Sequence, residues 1–144
     1  MGWLLKVSQP FSATDTSDTQ YVYDKGERKV SEFDPLNVQT CYEYDFLDRI
    51  TKKTEAYGTP DQRTTTFIYN ALGQILTKQY IQGTNVFTTA YTYDGLGRLK
   101  AVSGAREYPT TYGYDENGNI ISITDGCTNI TQFQFDAYNR QARK

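Results

Sequence analysis

A short phrase recurs six times along this 144-residue chain, and its period limits the possible folds more than any other feature of the sequence. The clearest copy is Tyr91-Thr-Tyr-Asp-Gly-Leu-Gly-Arg-Leu99; the others begin at Tyr21, Tyr42, Phe67, Tyr112 and Phe133. The second aromatic residues, Tyr23, Tyr44, Tyr69, Tyr93, Tyr114 and Phe135, follow one another at intervals of 21, 25, 24, 21 and 21 residues. A period in this range belongs to stacked repeats, in which each unit buries its apolar surface against its neighbours. An ordinary globular core is not what such a sequence encodes.

The residue types inside the phrase specify a β-hairpin. Tyr91 and Tyr93 alternate, so both rings leave the same face of a strand. Asp94 suits the first position of a type I turn, where its carboxylate can accept backbone N–H groups. Gly97 suits the fourth, where a left-handed residue forms a G1 bulge. Arg98 and Leu99 then open the return strand, with Tyr93 facing Leu99, Tyr91 facing Ala101 and Asp94 across from Arg98. The equivalent turn residues are Asp24, Asp45, Asp115 and Asp136 at the first position and Gly73 and Gly118 at the fourth. Asp48 and Asn139 replace the glycine in the second and sixth copies, and both residue types tolerate positive φ. The third copy loses its acid (Asn70) together with the arginine opposite (Gln74). In the first copy Gly26 comes one residue early and Glu27 holds the glycine slot, which predicts a turn of another type. The pairs Asp24–Arg28, Asp45–Arg49, Asp94–Arg98 and Asp136–Arg140 are expected to be exposed and to tune register, with the rings supplying most of the stability.

These residues resemble the YD repeat of the RHS family, found in bacterial RHS and insecticidal-toxin-complex proteins and in animal teneurins. The pattern there is an aromatic, any residue, Tyr-Asp, two residues, Gly-Arg and an aliphatic. The fourth and fifth copies match it almost fully, and the likeness runs from Tyr21 to Arg140. It implies a secreted or cell-surface parent protein and a spiral β-sheet wall around a toxic polypeptide, or a scaffold for cell contact. The family's arrays run on for many more copies, to an Asp-Pro-x-Gly type motif and a variable effector. Asp34-Pro35-Leu-Asn37 has only a superficial likeness to that motif and reads as a turn. Both ends of the chain read as cuts through a longer array.

Composition agrees with strands. Thirteen Tyr, seven Phe and abundant Thr suit a pleated surface that is only half dry. Mean hydropathy of -0.67 points to a thin, ladder-like core. No window carries a helical period, while turn formers recur every ten to twelve residues, so the fold class is all-β: about twelve strands in stacked antiparallel hairpin repeats forming an open, curved or spiral sheet. Residues 1–19 read as an N-terminal arm with one possible strand, Trp3 to Val7, and an irregular stretch from Ser8 to Thr19. Residues 20–144 hold the six repeats. Looser turns are expected at Asp34–Asn37, Gly58–Asp61, Gly83–Asn85, Gly104–Arg106 and Gly126–Asn129.

The sequence also excludes most chemistry. With no histidine, Ser-His-Asp and Cys-His machinery is absent, and so are most zinc sites. Cys41 and Cys127 lie four repeats apart and read as free, half-buried thiols. A net charge of -2, with basic residues scattered, leaves no footprint for nucleic acid and no attraction to acidic membranes. The run from Trp3 to Val7 is too short for membrane insertion or for a signal-peptide core. Asp115-Glu-Asn-Gly-Asn119 misplaces the glycine and lacks the bidentate glutamate of a calcium loop. Asn129-Ile-Thr131 is a glycosylation sequon by pattern alone. The repeat aspartates already have turn-making work, so no enzyme, cofactor or metal is expected. Two roles remain: a structural wall, or a binding module whose exposed rings stack on a glycan or partner. Tyr57, Tyr80 and Tyr108 lie off the repeat positions, towards the looser turns, and are the rings expected to make such contacts. Other expected partners are an encapsulated polypeptide and other chains joined by strand-edge pairing, notably through Phe133 to Phe135.

Overall fold

The computed structural model describes residues 3–12, 15–104 and 108–143, the side chains of 3–12, 15–18 and 143 excepted. The described residues form fourteen strands and no helix. They are β1 (Trp3–Ser12), β2 (Asp15–Tyr23), β3 (Lys29–Phe33), β4 (Gln39–Tyr44), β5 (Ile50–Glu55), β6 (Arg63–Tyr69) and β7 (Ile75–Gln82). The second half supplies β8 (Asn85–Tyr93), β9 (Leu99–Gly104), β10 (Thr110–Tyr114), β11 (Ile120–Thr124), β12 (Ile130–Gln132), β13 (Gln134–Phe135) and β14 (Gln141–Arg143). The all-β class and the antiparallel hairpins are those the sequence predicts. Two compact units divide the chain: Met1–Ile68 with Gln79–Val86, and Tyr69–Lys78 with Phe87–Lys144.

In the first unit β1 to β6 pair antiparallel in sequence order. The stretch from Ser8 to Thr19, expected to be irregular, supplies the ends of β1 and β2, whose pairing runs from Trp3↔Tyr23 to Ser12↔Asp15. Its Ser and Thr residues tolerate an extended backbone, and a long partner strand overrides their weak turn preference. In the second unit β8 to β12 pair in order, and β13 and β14 form a hairpin of their own.

Every YD turn has one geometry. Asp24, Asp45, Asn70, Asp94, Asp115 and Asp136 each accept, at the backbone carbonyl, the N–H three residues on, and donate their own N–H to the carbonyl four residues on. The fourth position has positive φ throughout: 61° at Glu27, 60° at Asp48, 82° at Gly73, 80° at Gly97, 87° at Gly118 and 58° at Asn139. The first turn is therefore not of another type. Glu27 takes the left-handed conformation because both turn hydrogen bonds close around it, which outweighs the steric cost for a residue with a Cβ. Two connections expected to be looser share this geometry. Asn37 (φ 61°) and Thr128 (φ 67°) close turns that begin at Asp34 and Asp125. The expected turn across Gly104–Arg106 falls largely outside the described residues.

One feature of the register differs from the alternation read in the sequence. After Tyr93↔Leu99 the next pair is Thr92↔Ala101, so Tyr91 faces Val102 and Lys100 is an extra residue on the return strand. The same shift leaves out Val30, Thr51, Ile121 and Ala142 in the other hairpins with described pairing. A β-bulge thus follows each of these turns by two residues, which disrupts the ladder locally.

No apolar residue among the described ones is buried, whereas Ser31, Thr54 and Thr65 are, at 6, 5 and 8% accessible. The rings pack laterally, in rows across a sheet face. In the second unit Tyr91, Val102 and Thr110 share one row, and Tyr112, Ile123 and Thr131 another. All of these but the exposed Thr131 are half-buried, which is the thin core that the composition predicts.

Candidate functional site: the clasp between repeats

Each YD turn but the third begins with a carboxylate that saturates its own loop. Asp94 Oδ1 accepts from the backbone N–H of Leu96 and of Arg98, both at 2.9 Å, and Oδ2 accepts from Arg98 Nε at 2.7 Å. Asp24, Asp45 and Asp136 hold Arg28, Arg49 and Arg140 in the same way. In the third copy Asn70 and Gln74 rebuild the arrangement with neutral amides, Nδ2 donating to Oε1 at 2.8 Å. The backbone N–H of Arg98 and its guanidinium hold the Asp94 carboxyl below its ordinary range. The Arg28 guanidinium does the same for Asp24. These carboxylates are kept ionised and fully engaged, so none is poised as an acid, base or nucleophile.

The arginine then reaches beyond its own hairpin. Arg98 Nη1 donates to the Asp115 carbonyl at 3.0 Å, while its guanidinium lies 4.5 Å from the centre of the Tyr114 ring. Arg28 Nη1 donates to the Asp45 carbonyl and to Asp48 Oδ1, and stacks 5.2 Å over Tyr44. Gln74 Nε2 reaches the next turn at its fourth residue instead of its first, donating to the Gly97 carbonyl at 2.6 Å. The following repeat answers with its tyrosine. Tyr44, Tyr93 and Tyr114 donate their hydroxyls to the carbonyls of Lys29, Ile75 and Leu99 at 2.7, 2.9 and 2.7 Å. For Lys29 and Leu99 that carbonyl immediately precedes the bulged residue, where the ladder is interrupted. The bulge and the tyrosine therefore belong to one device: a guanidinium reaches forward and a hydroxyl reaches back.

The motif pairs are not the exposed surface pairs expected from the sequence. Arg28, Arg49 and Arg98 side chains are only 35, 23 and 28% accessible, and the next turn covers Arg28 and Arg98. Arg140 matches the expectation at 74%. One signal for the clasp was present in the sequence. The first aromatic of the phrase is Phe in two copies (Phe67 and Phe133), whereas the second is Phe only at Phe135, so a hydroxyl is retained at the position where it bonds.

The remaining sequence candidates fall elsewhere. Tyr57 is exposed and donates its backbone N–H to the Gln39 carbonyl. Tyr80 is half-buried in β7, its hydroxyl 3.3 Å from Gln82 Oε1. Both belong to the first unit; Tyr108, exposed, belongs to the second. Asp115 closes its turn on Asn119, and Asn129 likewise donates to Asp125. Both thiols are free; Cys127 is exposed, not half-buried, because it sits at the tip of the turn that begins at Asp125. A second polar knot, on the aromatic face of the first unit, ties Lys29 to Glu32 (2.6 Å) and Tyr42 to Glu32 (2.8 Å), with the ammonium 4.7 Å from the Tyr42 ring. Burial and the bond to Glu32 push the Tyr42 hydroxyl up to about 12, so it stays a donor. Among the described residues no cluster of three or more Cys, Asp or Glu could hold a metal ion, and no helix is long and apolar enough to cross a membrane.

Consecutive antiparallel hairpins, with Asp- or Asn-capped turns and a Tyr–Arg clasp at the Arg28 and Arg98 junctions, define a YD-type repeat array. The chain belongs to the teneurin YD-shell family, whose model matches residues 9–143. Its fold recurs in the crystal structure of TcdB2-TccC3-Cdc42, with a TM-score of 0.78 and 19% identity over 90% of this chain. It recurs also in the Photorhabdus luminescens Tc holotoxin pore, with a TM-score of 0.74 and 19% identity, again over 90% of this chain. The chain spans 7% of the length of each of those chains. No curated protein sequence matches it.

Proposed function

We propose that this chain is a non-catalytic wall segment of a YD shell, one stretch of a longer repeat array that encloses a polypeptide. The observation that carries this reading is the clasp. The side chains that recur with the period, Tyr, Asp and Arg, are consumed by contacts within and between hairpins, and their carboxylates hold no free valence for substrate. A surface selected for catalysis concentrates reactive groups at one place; here the same group is spent once per repeat. The fold likeness to Tc toxin complexes supports a wall role, and the half-dry aromatic rows suit a sheet that faces an enclosed chain on one side.

The test is a transplant. The repeats of TcdB2-TccC3 that superimpose on this chain are replaced by its own, and the particles are imaged by electron cryomicroscopy. Closed hollow particles, protecting a fused polypeptide from protease, are the expected result. Open or aggregated particles, alongside a control transplant of another wall segment that does close, would reject the wall reading.

A further inference from the structure

We infer that Asn117 is a site of spontaneous covalent modification, converted to aspartate and isoaspartate through attack by the Gly118 amide, and that Arg98 of the preceding repeat sets how fast this occurs. The inference stands apart from the wall reading and concerns a residue that reading leaves idle.

Seven asparagines occur in the chain, and Asn117 alone is followed by glycine; the others precede Val38, Ala71, Val86, Ile120, Ile130 and Arg140. A side chain on the following residue crowds its amide nitrogen, and Gly118 has none. Asn117 is exposed at the third position of its turn, and no other described residue engages its side-chain amide.

The step balances without a cofactor. The Gly118 nitrogen gives up its proton to solvent base and attacks Cγ of Asn117. The new C–N bond closes a cyclic imide as the bond to Nδ2 breaks, and that nitrogen leaves as ammonia with a proton from water. Water then opens either carbonyl of the imide. One opening gives aspartate; the other reroutes the backbone through the side-chain methylene as isoaspartate. The two Asp-Gly steps, Asp94–Gly95 and Asp125–Gly126, resist the same attack. Their turns hold both carboxyls ionised, and a carboxylate repels a nucleophile.

The fold restrains the nucleophile at Asn117. The Gly118 N–H donates to the Asp115 carbonyl at 3.2 Å. The Asp115 carboxylate also draws on the Gly118 amide, and it opposes the negative charge that this nitrogen must carry to attack. The same Asp115 carbonyl accepts Arg98 Nη1 at 3.0 Å, and that guanidinium lies 4.5 Å from the centre of the Tyr114 ring. Arg98 therefore pins the acceptor to which the nucleophile is tied. Asn117 reacts when its turn opens locally, and opening is rarer while the clasp is made. The product acts back on the fold. Isoaspartate adds an atom to the backbone between Asp115 and Gly118, so the Gly118 bond and the 3.0 Å bond from Asp115 N–H to the Asn119 carbonyl no longer close together.

The experiment ages the whole chain near neutral pH, folded in buffer well below its melting temperature and unfolded in urea, with conversion at each asparagine followed by peptide mass spectrometry. Arg98→Ala is aged alongside, and so is Arg28→Ala, which breaks the equivalent clasp in the other unit. Conversion at Asn117 should run ahead of every other asparagine and be slower in the folded chain than in urea. It should be roughly 2- to 10-fold faster in Arg98→Ala and unchanged in Arg28→Ala. The isoaspartate form, separated from the aged sample, should melt at least ~2 °C below Asn117→Asp, which carries the same charge on an unaltered backbone. Equal folded and unfolded rates, the same change in both arginine variants, faster conversion at another asparagine, or equal melting of the two products would overturn the inference. The folded-to-unfolded ratio and the comparison of products need no arginine variant, so the test stands even where Arg98→Ala does not fold.

Discussion

Changing Tyr114 to phenylalanine removes one hydroxyl and leaves the ring under Arg98. The bond lost is a 2.7 Å donation to the Leu99 carbonyl, in half-buried surroundings. A neutral hydrogen bond of this kind contributes about 0.5–1.5 kcal/mol net, and stranding a fully buried acceptor costs about 1–3 kcal/mol. Water reaches a half-buried carbonyl, so the second figure is mostly avoided and the expected loss is about 1 kcal/mol, or a Tm drop of about 2–6 °C for a chain of this size. Tyr112→Phe, in the same strand, is the control. No hydrogen bond from another described residue engages its hydroxyl, so the change should fall within ~0.5 kcal/mol. Phe135→Tyr should run the other way, placing a hydroxyl where the Ile120 carbonyl corresponds to that of Leu99, and gain up to ~1 kcal/mol. Urea and thermal unfolding followed by circular dichroism give all three values. Equal losses for Tyr112→Phe and Tyr114→Phe, or a destabilising Phe135→Tyr, would refute the role given to the hydroxyl.

Gly97→Val should destabilise more than Gly95→Val, since Gly97 has φ 80° and Gly95 stands in open space without positive φ; thermal melts of the two compare them directly. Gly126→Ala should cost about 1–3 kcal/mol or more by urea titration, because the added methyl would fall on the backbone of Tyr108. Acid should unfold the array. The carboxyls of Asp24, Asp45, Asp94, Asp115, Asp125 and Asp136 are all lowered from the ordinary 3.8 in the folded state. The unfolded chain therefore binds protons first, and the stabilisation, complete above the ordinary value, is lost as pH falls through the lowered ones. Melts between pH 7 and 5 should coincide, with Tm falling below about pH 4. Asp94→Asn with Arg98→Gln copies the amide pair of Asn70 and Gln74, and it should melt well above Asp94→Ala, which strands the Leu96 and Arg98 amides.

The hairpins were legible because their causes are local. Alternating rings, an aspartate that caps its own turn and a residue able to hold positive φ are all contained within nine positions, and the turns at Gly73, Gly97 and Gly118 follow from them. Glu27 was misread because its local cost is visible in the sequence while the two hydrogen bonds that outweigh it are not. The bulge was hidden for a related reason. Val30, Thr51 and Lys100 are ordinary strand residues, and the register shift arises from pairing across the hairpin, which no single strand records. The clasp joins residues 15 to 23 apart in sequence, as in Tyr114 with Leu99 and Gln74 with Gly97. Its trace in the sequence was the unequal use of Tyr and Phe at the two aromatic positions. Tyr57, Tyr80 and Tyr108 were singled out by position alone, and position says nothing about what surrounds a ring.

The junction closed by Asn119 and Phe135 lacks the guanidinium stack and the hydroxyl that secure the junction before it. Its remaining ties include the Asn119–Asn139 bond and the donation from Phe133 N–H to the Ile121 carbonyl. Under load this junction parts before the one that Arg98 and Tyr114 secure, while the four strands from β8 to β11 hold. A sheet perforated at such a junction opens along a set line and leaves the strands on either side whole.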